Sequence, residues 1–208
     1  MHDYLKPDTD FEYQRHYDQG MQPTAESVAD NILAGSFAAI HTTTMTLTNV
    51  LYDLAAHPEY AEVLREEIQC ISAEEPSGIL RKKTMPKLRK LDSFIKESQR
   101  RCTAAAITFH RKTLKAIILS EGTYLPANDY YLFSPSAAIS GDPSTYEIPE
   151  EFDGLCLDKL QQRTSEDDMR YQLTSSSTQM HFGLGRHVCP GRWLASYEIK
   201  LTVITLLS

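Results

Sequence analysis

Hydrophobic residues recur at helical spacing along the first third of the chain. The longest such run extends from Ala25 to Ala56, directly after Thr24, a residue type that caps the first turn of helices. A second run follows Pro58, which suits the first turn of a helix, and places Leu64 and Ile68 on one face. The pattern therefore predicts two successive helices, the first of them about 48 Å long at ~1.5 Å per residue.

The rest of the chain predicts two more helices and a small β region. Thr84 and Pro86 open a run whose apolar positions are Leu88, Leu91, Phe94 and Ile95. A last helix is expected over Trp193–Leu207, after Pro190. Between them the β-prone runs AITF, AIIL and YYLF are separated by turn signals, and the polar stretch Gln161–Gln179 favours a surface loop. We therefore predict a mainly helical domain.

Composition narrows the class of protein. The 208 residues are 41% hydrophobic and 24% charged, enough for one sizeable globular domain, and a net charge of −7 argues against nucleic-acid binding. The four cysteines are scattered without a CxxC motif, which favours reduced thiols over a disulfide scaffold or a zinc ribbon. Residues 1–24 form a polar N-terminal segment with no apolar anchor. Residues 31–52 carry no formal charge, but His41 and five threonines favour a buried helix over a membrane span.

The stretch HFGLGRHVCPGRWLA, His181–Ala195, carries the chemistry that needs explaining. Cys189 directly precedes Pro190 and can occupy the N-cap of the last helix, where free N–H groups and the helix dipole favour a thiolate. A thiolate binds a metal or attacks an electrophile. Glycines at 183, 185 and 191 leave room for a large flat group, and cationic side chains at 186 and 187 can hold its anionic substituents.

Several other interpretations of this stretch remain open on residue chemistry alone. A lone free cysteine is commonly an inert core residue. FGLG suggests a phosphate loop but lacks the GxGxxG spacing and a Walker lysine. Zinc bound by His181, His187 and Cys189 lacks a fourth ligand at familiar spacing. A thiolate nucleophile needs a positioned histidine, which the sequence neither supplies nor excludes.

FGLGRHVCPG resembles the haem-binding loop of the cytochrome P450 superfamily, F-x-x-G-x-[RH]-x-C-x-G. Phe182, Gly185, His187, Cys189 and Gly191 all fall in place. The resemblance implies haem b as cofactor, with Cys189 as the axial ligand of its iron. It implies that Phe182 and Gly185 belong to the cofactor-binding loop and that His187 lies on the propionate side.

Two further motifs stand in the order that this family shows. Glu97-Ser98-Gln99-Arg100 resembles its E-x-x-R motif, a buried structural pair behind the haem loop. Ala38–Thr42 resembles the A-G-x-[DE]-T stretch over the oxygen-binding face, which implies that Thr42 and His41 manage protons. Arg111 matches a position that binds a haem propionate. Taken without the resemblance, these residues are an exposed ion pair, a threonine bonded to its own helix and an exposed strand-end arginine.

Cys156 departs from the family pattern. In FDGLCL it stands where the fungal branch usually has FDGFRF, so it replaces the arginine that joins Glu97 and Arg100. The buried carboxylate would then keep one partner in place of two, at a cost of several kcal/mol. We therefore expect a weakened scaffold behind the cysteine loop.

The resemblance covers residues 25–208 and is strongest to the fungal branch that includes ent-kaurene oxidase-like enzymes. It implies the C-terminal portion of the cytochrome P450 fold: long helix, E-x-x-R helix, β hairpins, haem-ligating loop and following helix. The implied function is oxidation of an apolar small molecule, such as a terpenoid or other fungal secondary metabolite, with O2 and electrons from an NADPH-dependent reductase. Full-length members sit on the cytosolic face of the endoplasmic reticulum membrane.

Full members are more than twice as long as this chain. We expect that it lacks the N-terminal half, with its membrane anchor, and the C-terminal sheet, and that it is a fragment or truncated form. Without an anchor it would be cytoplasmic, and alone it would retain haem weakly and show no turnover. The alternative hypothesis is a non-catalytic remnant with weak or no haem binding, which acts at most as an interaction fragment.

Overall fold

The computed structural model describes residues 24–76, 78, 80–128, 131–144, 146–164, 172–174 and 179–208. The chain divides into two units, Met1–Thr44 and Met45–Ser208, and each is described by itself. Of the predicted N-terminal segment at residues 1–24, only Thr24 lies within the described residues.

Helices make up most of the described chain, which confirms the prediction of a mainly helical fold with a small β region. The α-helices are α1 (Ala25–Ala56), α2 (Glu59–Ala73), α3 (Arg89–Arg101), α4 (Ser136–Ser140), α5 (Cys156–Thr164) and α6 (Arg192–Leu207). Short 3-10 turns cover Met85–Lys87 and Gly185–His187. The backbone N–H of Ser27 donates to Thr24 Oγ1 at 3.1 Å, so Thr24 caps α1 as predicted.

Four short strands form two antiparallel pairs. They are β1 (Thr108–Lys112), β2 (Ile117–Ile118), β3 (Tyr124–Leu125) and β4 (Tyr131–Ser134). Strand β1 pairs with β4, with Thr108 opposite Ser134, and β2 pairs with β3 as a hairpin. The apolar runs of the sequence predicted β1, β2 and β4, whereas β3 was not predicted because Tyr-Leu is too short to show a pattern.

The hydrophobic core of the second unit lies among α2, α3 and α6. Its members with no exposed surface include Val50, Leu64, Leu88, Leu91, Phe94, Ile95 and Val203. At about 25 cal/mol per Å² of apolar surface, each large side chain contributes on the order of 1.5–3 kcal/mol. The faces predicted from periodicity on α2 and α3 are therefore the faces that the core uses.

Helix α3 is buried on its polar side as well. Every residue from Leu91 to Arg100 is buried, although seven of the thirteen residues of this helix carry a charge. Asp92 forms an ion pair with Lys200 of α6, and Lys200 Nζ donates to the backbone carbonyl of Met85 at 3.0 Å. Buried charges persist when they are paired in this way, and the pairs fix the register of α3 against α6.

Three boundaries differ from the sequence prediction. The helix expected after Thr84 is a 3-10 turn that stops at Leu88, where ψ is 68°, and α3 begins only at Arg89. The loop expected over Gln161–Gln179 begins later, since α5 continues to Thr164. Pro58 precedes α2 as its N-cap residue, one position before the first helical turn.

Within the described residues, no helix has the length and apolar character needed to span a bilayer.

Candidate functional site

The cysteine loop closes on itself through backbone hydrogen bonds. The N–H of Cys189 donates to the carbonyl of Phe182 at 2.7 Å, and the N–H of Val188 donates to Gly185 at 3.1 Å across the 3-10 turn. At the start of the loop, the N–H of Gly183 donates to Met180 at 3.0 Å. The position of Cys189 therefore depends on where the chain places Phe182.

Two glycines of the loop adopt a conformation that other residues rarely do. Gly183 has φ +73° and Gly185 has φ +72°. A Cβ at Gly183 would lie 3.4 Å from the carbonyl oxygen of His187, whereas no heavy atom of the described chain lies within 4 Å of a Cβ position at Gly185. The left-handed turn therefore requires glycine, and it leaves open space beside Gly185.

Cys189 is not the N-cap of the last helix, contrary to the sequence prediction. Gly191 is the N-cap and α6 begins at Arg192, because Pro190 and Gly191 form a turn before the helix. The sulfur of Cys189 still lies 4.0 Å from the Cβ position of Gly191, and Arg192 Nη1 donates to the carbonyl of Cys189 at 2.9 Å. The half-buried thiol thus lies beside the start of α6 without capping it.

Glu97 and Arg100 form a bidentate ion pair on one face of α3, the pairing that their spacing predicts. Arg100 Nε donates to Glu97 Oε2 and Arg100 Nη2 donates to Oε1, both at 2.7 Å, and each side chain is 3% exposed. The remaining guanidinium hydrogens go to the backbone carbonyls of Ser140, Pro149 and Glu151. The hydrogen bonds to Glu97 raise the pKa of Arg100. The pair therefore ties α3 to the segment that leads into α5.

The hydrogen bonds of Glu97 do not match the expectation that Cys156 leaves this carboxylate with one partner. Glu97 Oε1 also accepts the backbone N–H of Asp153 at 3.1 Å, so the carboxylate has three donors. Cys156 is half-buried beside the pair, and burial, followed by the charges of Asp153 and Glu97, raises the pKa of its thiol. With a neutral thiol at position 156, both oxygens of the Glu97 carboxylate still accept hydrogen bonds.

Two bases, the partly buried His181 and the buried Lys96, lie near the start of the loop, and the sequence analysis did not predict that they influence each other. Burial, followed by the charge of Lys96, lowers the pKa of His181 to about 4. Burial likewise lowers the pKa of Lys96 to about 8, and Lys96 Nζ donates to the carbonyl of Gln172 at 3.1 Å. His181 is therefore a neutral imidazole near neutral pH. In the sequence, Lys96 stands one turn before Arg100 on α3, which could have indicated that Lys96 shares the buried face of the Glu97–Arg100 pair.

The other predicted residues of the second unit lie at the surface or on the loop. His187 is exposed at the end of the 3-10 turn, and Phe182 is partly buried. Arg111 is exposed on β1, and its Nη1 donates to the carbonyl of His110 at 2.8 Å. The structure thus brings Phe182, Gly185, His187 and Cys189 together in one loop. Arg111, in contrast, is an exposed arginine on a strand, which was the alternative to propionate binding.

The predicted proton-handling residues belong to the first unit and are described within it. The hydroxyl of Thr42 donates to the carbonyl of Ala38 at 2.7 Å, one turn earlier on α1. The ring of His41 is stacked on Phe37, with centroids 6.0 Å apart. Thr42 therefore has the helix-bonded geometry of its alternative interpretation.

Comparison with known proteins places these features in one family. The sequence profile of "Cytochrome P450" matches residues 7–208. The chain is 44% identical over 176 residues to "Cytochrome P450 monooxygenase ORF5" of Penicillium roqueforti, and 45% identical over 176 residues to "Cytochrome P450 monooxygenase prx8" of Penicillium rubens. Each match covers 84% of this chain and 32% of the relative. It is 37% identical over 206 residues to "Cytochrome P450 monooxygenase AN1598" of Emericella nidulans, which covers 99% of this chain and 38% of that protein. The chain thus spans about a third of the length of these relatives.

Proposed function

Because the chain belongs to the cytochrome P450 family, we propose that it supplies the haem-ligating part of a monooxygenase that oxidises an apolar small molecule. Haem b is the cofactor in this proposal, and Cys189 is the axial ligand of its iron. The observation that carries the proposal is the closed loop, in which the Phe182 carbonyl holds the Cys189 amide and left-handed glycines bend the backbone.

The residues of the loop fit such a group. A cysteine thiolate is a soft donor that binds iron, and the thiol of Cys189 is half-buried rather than enclosed in the core. The open space beside Gly185 admits a large planar group close to the backbone. Phe182 and Gly185 would contact the group from the loop, and the exposed imidazole of His187 can donate to a propionate.

Each proposed residue has a role that follows from its chemistry. When bound, a haem ligated by thiolate supplies activation of dioxygen for insertion of one oxygen atom into a C–H bond. Cys189 would hold the metal through its thiolate, and His187 and Arg111 would donate hydrogen bonds to the propionates. Thr42 would pass protons at its hydroxyl oxygen, with the imidazole of the adjacent His41 as its partner. The buried Glu97–Arg100 pair holds the backbone behind the loop.

Fungal relatives support the proposed substrate class. All three named relatives are fungal monooxygenases, and we propose that the substrate is a terpenoid or another fungal secondary metabolite. Electrons would come from an NADPH-dependent reductase, since the haem needs two electrons for each O2 that is activated. We place the complete protein on the cytosolic face of the endoplasmic reticulum membrane, and fractionation of fungal cells with an antibody to this chain would test that location.

A haem titration of the purified chain tests the ligand assignment. Wild-type chain, Cys189→Ala and the control Cys102→Ala, in which an exposed cysteine is changed, are saturated with haem, reduced and exposed to carbon monoxide. We expect the red-shifted absorption of a haem thiolate in wild type and in Cys102→Ala, and its loss in Cys189→Ala. The same band in Cys189→Ala would contradict the assignment.

The second candidate function is an interaction fragment without catalysis. Exposed apolar side chains on the first unit favour it, namely Leu33, Phe37 and Ile40, which are 67–76% exposed. Failure of all three proteins in the titration to bind haem would favour this candidate over the monooxygenase.

A further inference from the structure

The chain enters the cysteine loop through three consecutive residues, Gln179, Met180 and His181, which we call the loop root. Gln179 is 3% exposed, and its Nε2 donates to the hydroxyl of Tyr146 at 3.3 Å. The hydroxyl of Ser134 on β4 donates to the sulfur of Met180 at 3.5 Å. His181 is partly buried. Two of the three residues of the loop root are thus held by side chains from other parts of the chain.

Tyr146 connects the loop root to the buried ion pair. Its side chain is almost entirely buried at 6% exposure, and the guanidinium of Arg100 lies 4.6 Å from the centre of its ring. An arginine over a tyrosine ring is attracted by the electron-rich face, most strongly where water is excluded. Arg100 is itself fixed by Glu97. A continuous chain of contacts therefore runs from the pair through Tyr146 to Gln179.

The loop root also controls the backbone that presents Cys189. Met180 accepts the N–H of Gly183, and Phe182, three residues after Gln179, accepts the N–H of Cys189. A shift of the loop root therefore moves the carbonyl that holds the Cys189 amide. Because Gly183 has few steric restraints of its own, the residues before it contribute to the anchoring of the loop, together with the Arg192 hydrogen bond to the Cys189 carbonyl.

We propose that Tyr146 and Gln179 are positioning residues that join the Glu97–Arg100 pair to the loop root and so hold the Cys189 thiol in place. The interpretation of that thiol as an iron ligand rests on the proposed function, but the positioning itself does not. Neither side chain has to touch the cofactor, since both act through the backbone of residues 179–182.

The test removes the Tyr146–Gln179 hydrogen bond with small changes. Tyr146→Phe deletes the hydroxyl and keeps the ring over Arg100, and Gln179→Leu deletes the amide at similar size. The double variant measures whether the two side chains act as one unit. Tyr124→Phe and Gln69→Leu change exposed residues of the same types and serve as matched controls.

The first readout is the rate of alkylation of Cys189 by iodoacetamide in the haem-free chain, measured by peptide mass spectrometry. We expect about a fivefold faster reaction in each single variant, the factor by which losing one ordinary hydrogen bond shifts a local equilibrium. The exposed Cys102 serves as internal reference and should keep its rate. The double variant should react no faster than the faster single variant. An unchanged Cys189 rate in both single variants, an equal rise at Cys102, or additive effects in the double variant would overturn the proposal.

The second readout is the fraction of red-shifted carbon-monoxide absorption in the haem-loaded protein. We expect this fraction to fall in Tyr146→Phe and Gln179→Leu and to stay at the wild-type value in the two controls. An undiminished fraction together with an unchanged alkylation rate refutes the positioning role and leaves the proposed function standing. If wild type itself lacks the band, the proposed function fails, and the alkylation rates still decide the positioning role.

Discussion

Acidification should destabilise the chain through His181. Burial and the charge of Lys96 lower the pKa of this imidazole from its ordinary 6.5 to about 4 in the folded chain. Between these two values the unfolded chain binds a proton that the folded chain does not. The contribution of His181 to the free energy of unfolding is therefore fully present above pH 6.5 and is lost as the pH falls towards 4. The difference between 6.5 and about 4 corresponds to about 3 kcal/mol, of which about 2.5 kcal/mol is lost by pH 4.5.

Glu67 opposes this effect over part of the same pH range. Burial raises the pKa of its carboxyl from 4.5 to about 6, although the backbone amides of Lys90 and Leu91 donate to it. The folded chain therefore holds this proton more tightly than the unfolded chain between pH 6 and 4.5. Protonation of Glu67 therefore raises the free energy of unfolding by about 2 kcal/mol as the pH falls. The wild-type pH profile alone thus understates the contribution of His181.

The assay is urea unfolding followed by circular dichroism at pH 7 and pH 4.5. Wild type is compared with His181→Gln, which cannot be protonated and leaves Glu67 in place, and with His110→Gln, which changes an exposed histidine. We expect wild type and His110→Gln to lose about 2.5 kcal/mol more than His181→Gln over this interval. Equal losses in all three proteins would refute the argument that the folded chain holds His181 as a neutral base.

Three further substitutions test the scaffold by the same unfolding assay at pH 7. Arg100→Leu leaves the Glu97 carboxylate buried without its cation and should cost about 3–5 kcal/mol, whereas a loss below about 1 kcal/mol would contradict a buried pair. Ser93→Ala removes an oxygen that accepts two backbone N–H groups at the start of α5 and should cost about 1–2 kcal/mol, with exposed Ser36→Ala as the matched control. Gly154→Ala would place a Cβ 2.6 Å from the buried ring of Phe94 and should cost about 1–3 kcal/mol, so wild-type stability would show that this packing is wrong.

Helices α2 and α3 could be predicted because each one buries a stripe of apolar side chains, whereas α1 buries only Val50 and the short α4 and α5 were not predicted. Leu64 and Ile68 on α2, and Leu91 and Phe94 on α3, are spaced so that they share a face, and that face is the core. The cap of α1 could be predicted as well, since Thr24 bonds to an amide only three residues away. Interactions of this kind join residues that are close in sequence, so the sequence alone can predict them.

Long-range partners could not be predicted in the same way. Asp92 and Lys96 look like solvent-facing residues of a charged helix, but they are buried because Lys200 and the carbonyl of Gln172 come from distant parts of the chain. The loss of an arginine at position 156 suggested that Glu97 keeps a single partner, but Glu97 also accepts the backbone N–H of Asp153, a donor that no side-chain motif reveals.

In the candidate site, too, one prediction was confirmed and another was wrong. The loop motif predicted that Phe182, Gly185, His187 and Cys189 lie together, and they do, because they are close in sequence. The placement of Cys189 at the N-cap of α6 was wrong, since the turn at Pro190 and Gly191 delays the helix to Arg192. The roles of Thr42, His41 and Arg111 stay predictions.

Iron K-edge X-ray absorption of the haem-loaded chain tests the central claim most directly, because it reports the atoms bound to the metal. Wild type and the control Cys70→Ala, which changes an exposed cysteine of α2, should both show a sulfur atom bound to iron, and Cys189→Ala should lack it. A sulfur ligand that persists in Cys189→Ala, or an iron bound only by nitrogen and oxygen in wild type, would contradict the assignment of Cys189 as the haem ligand.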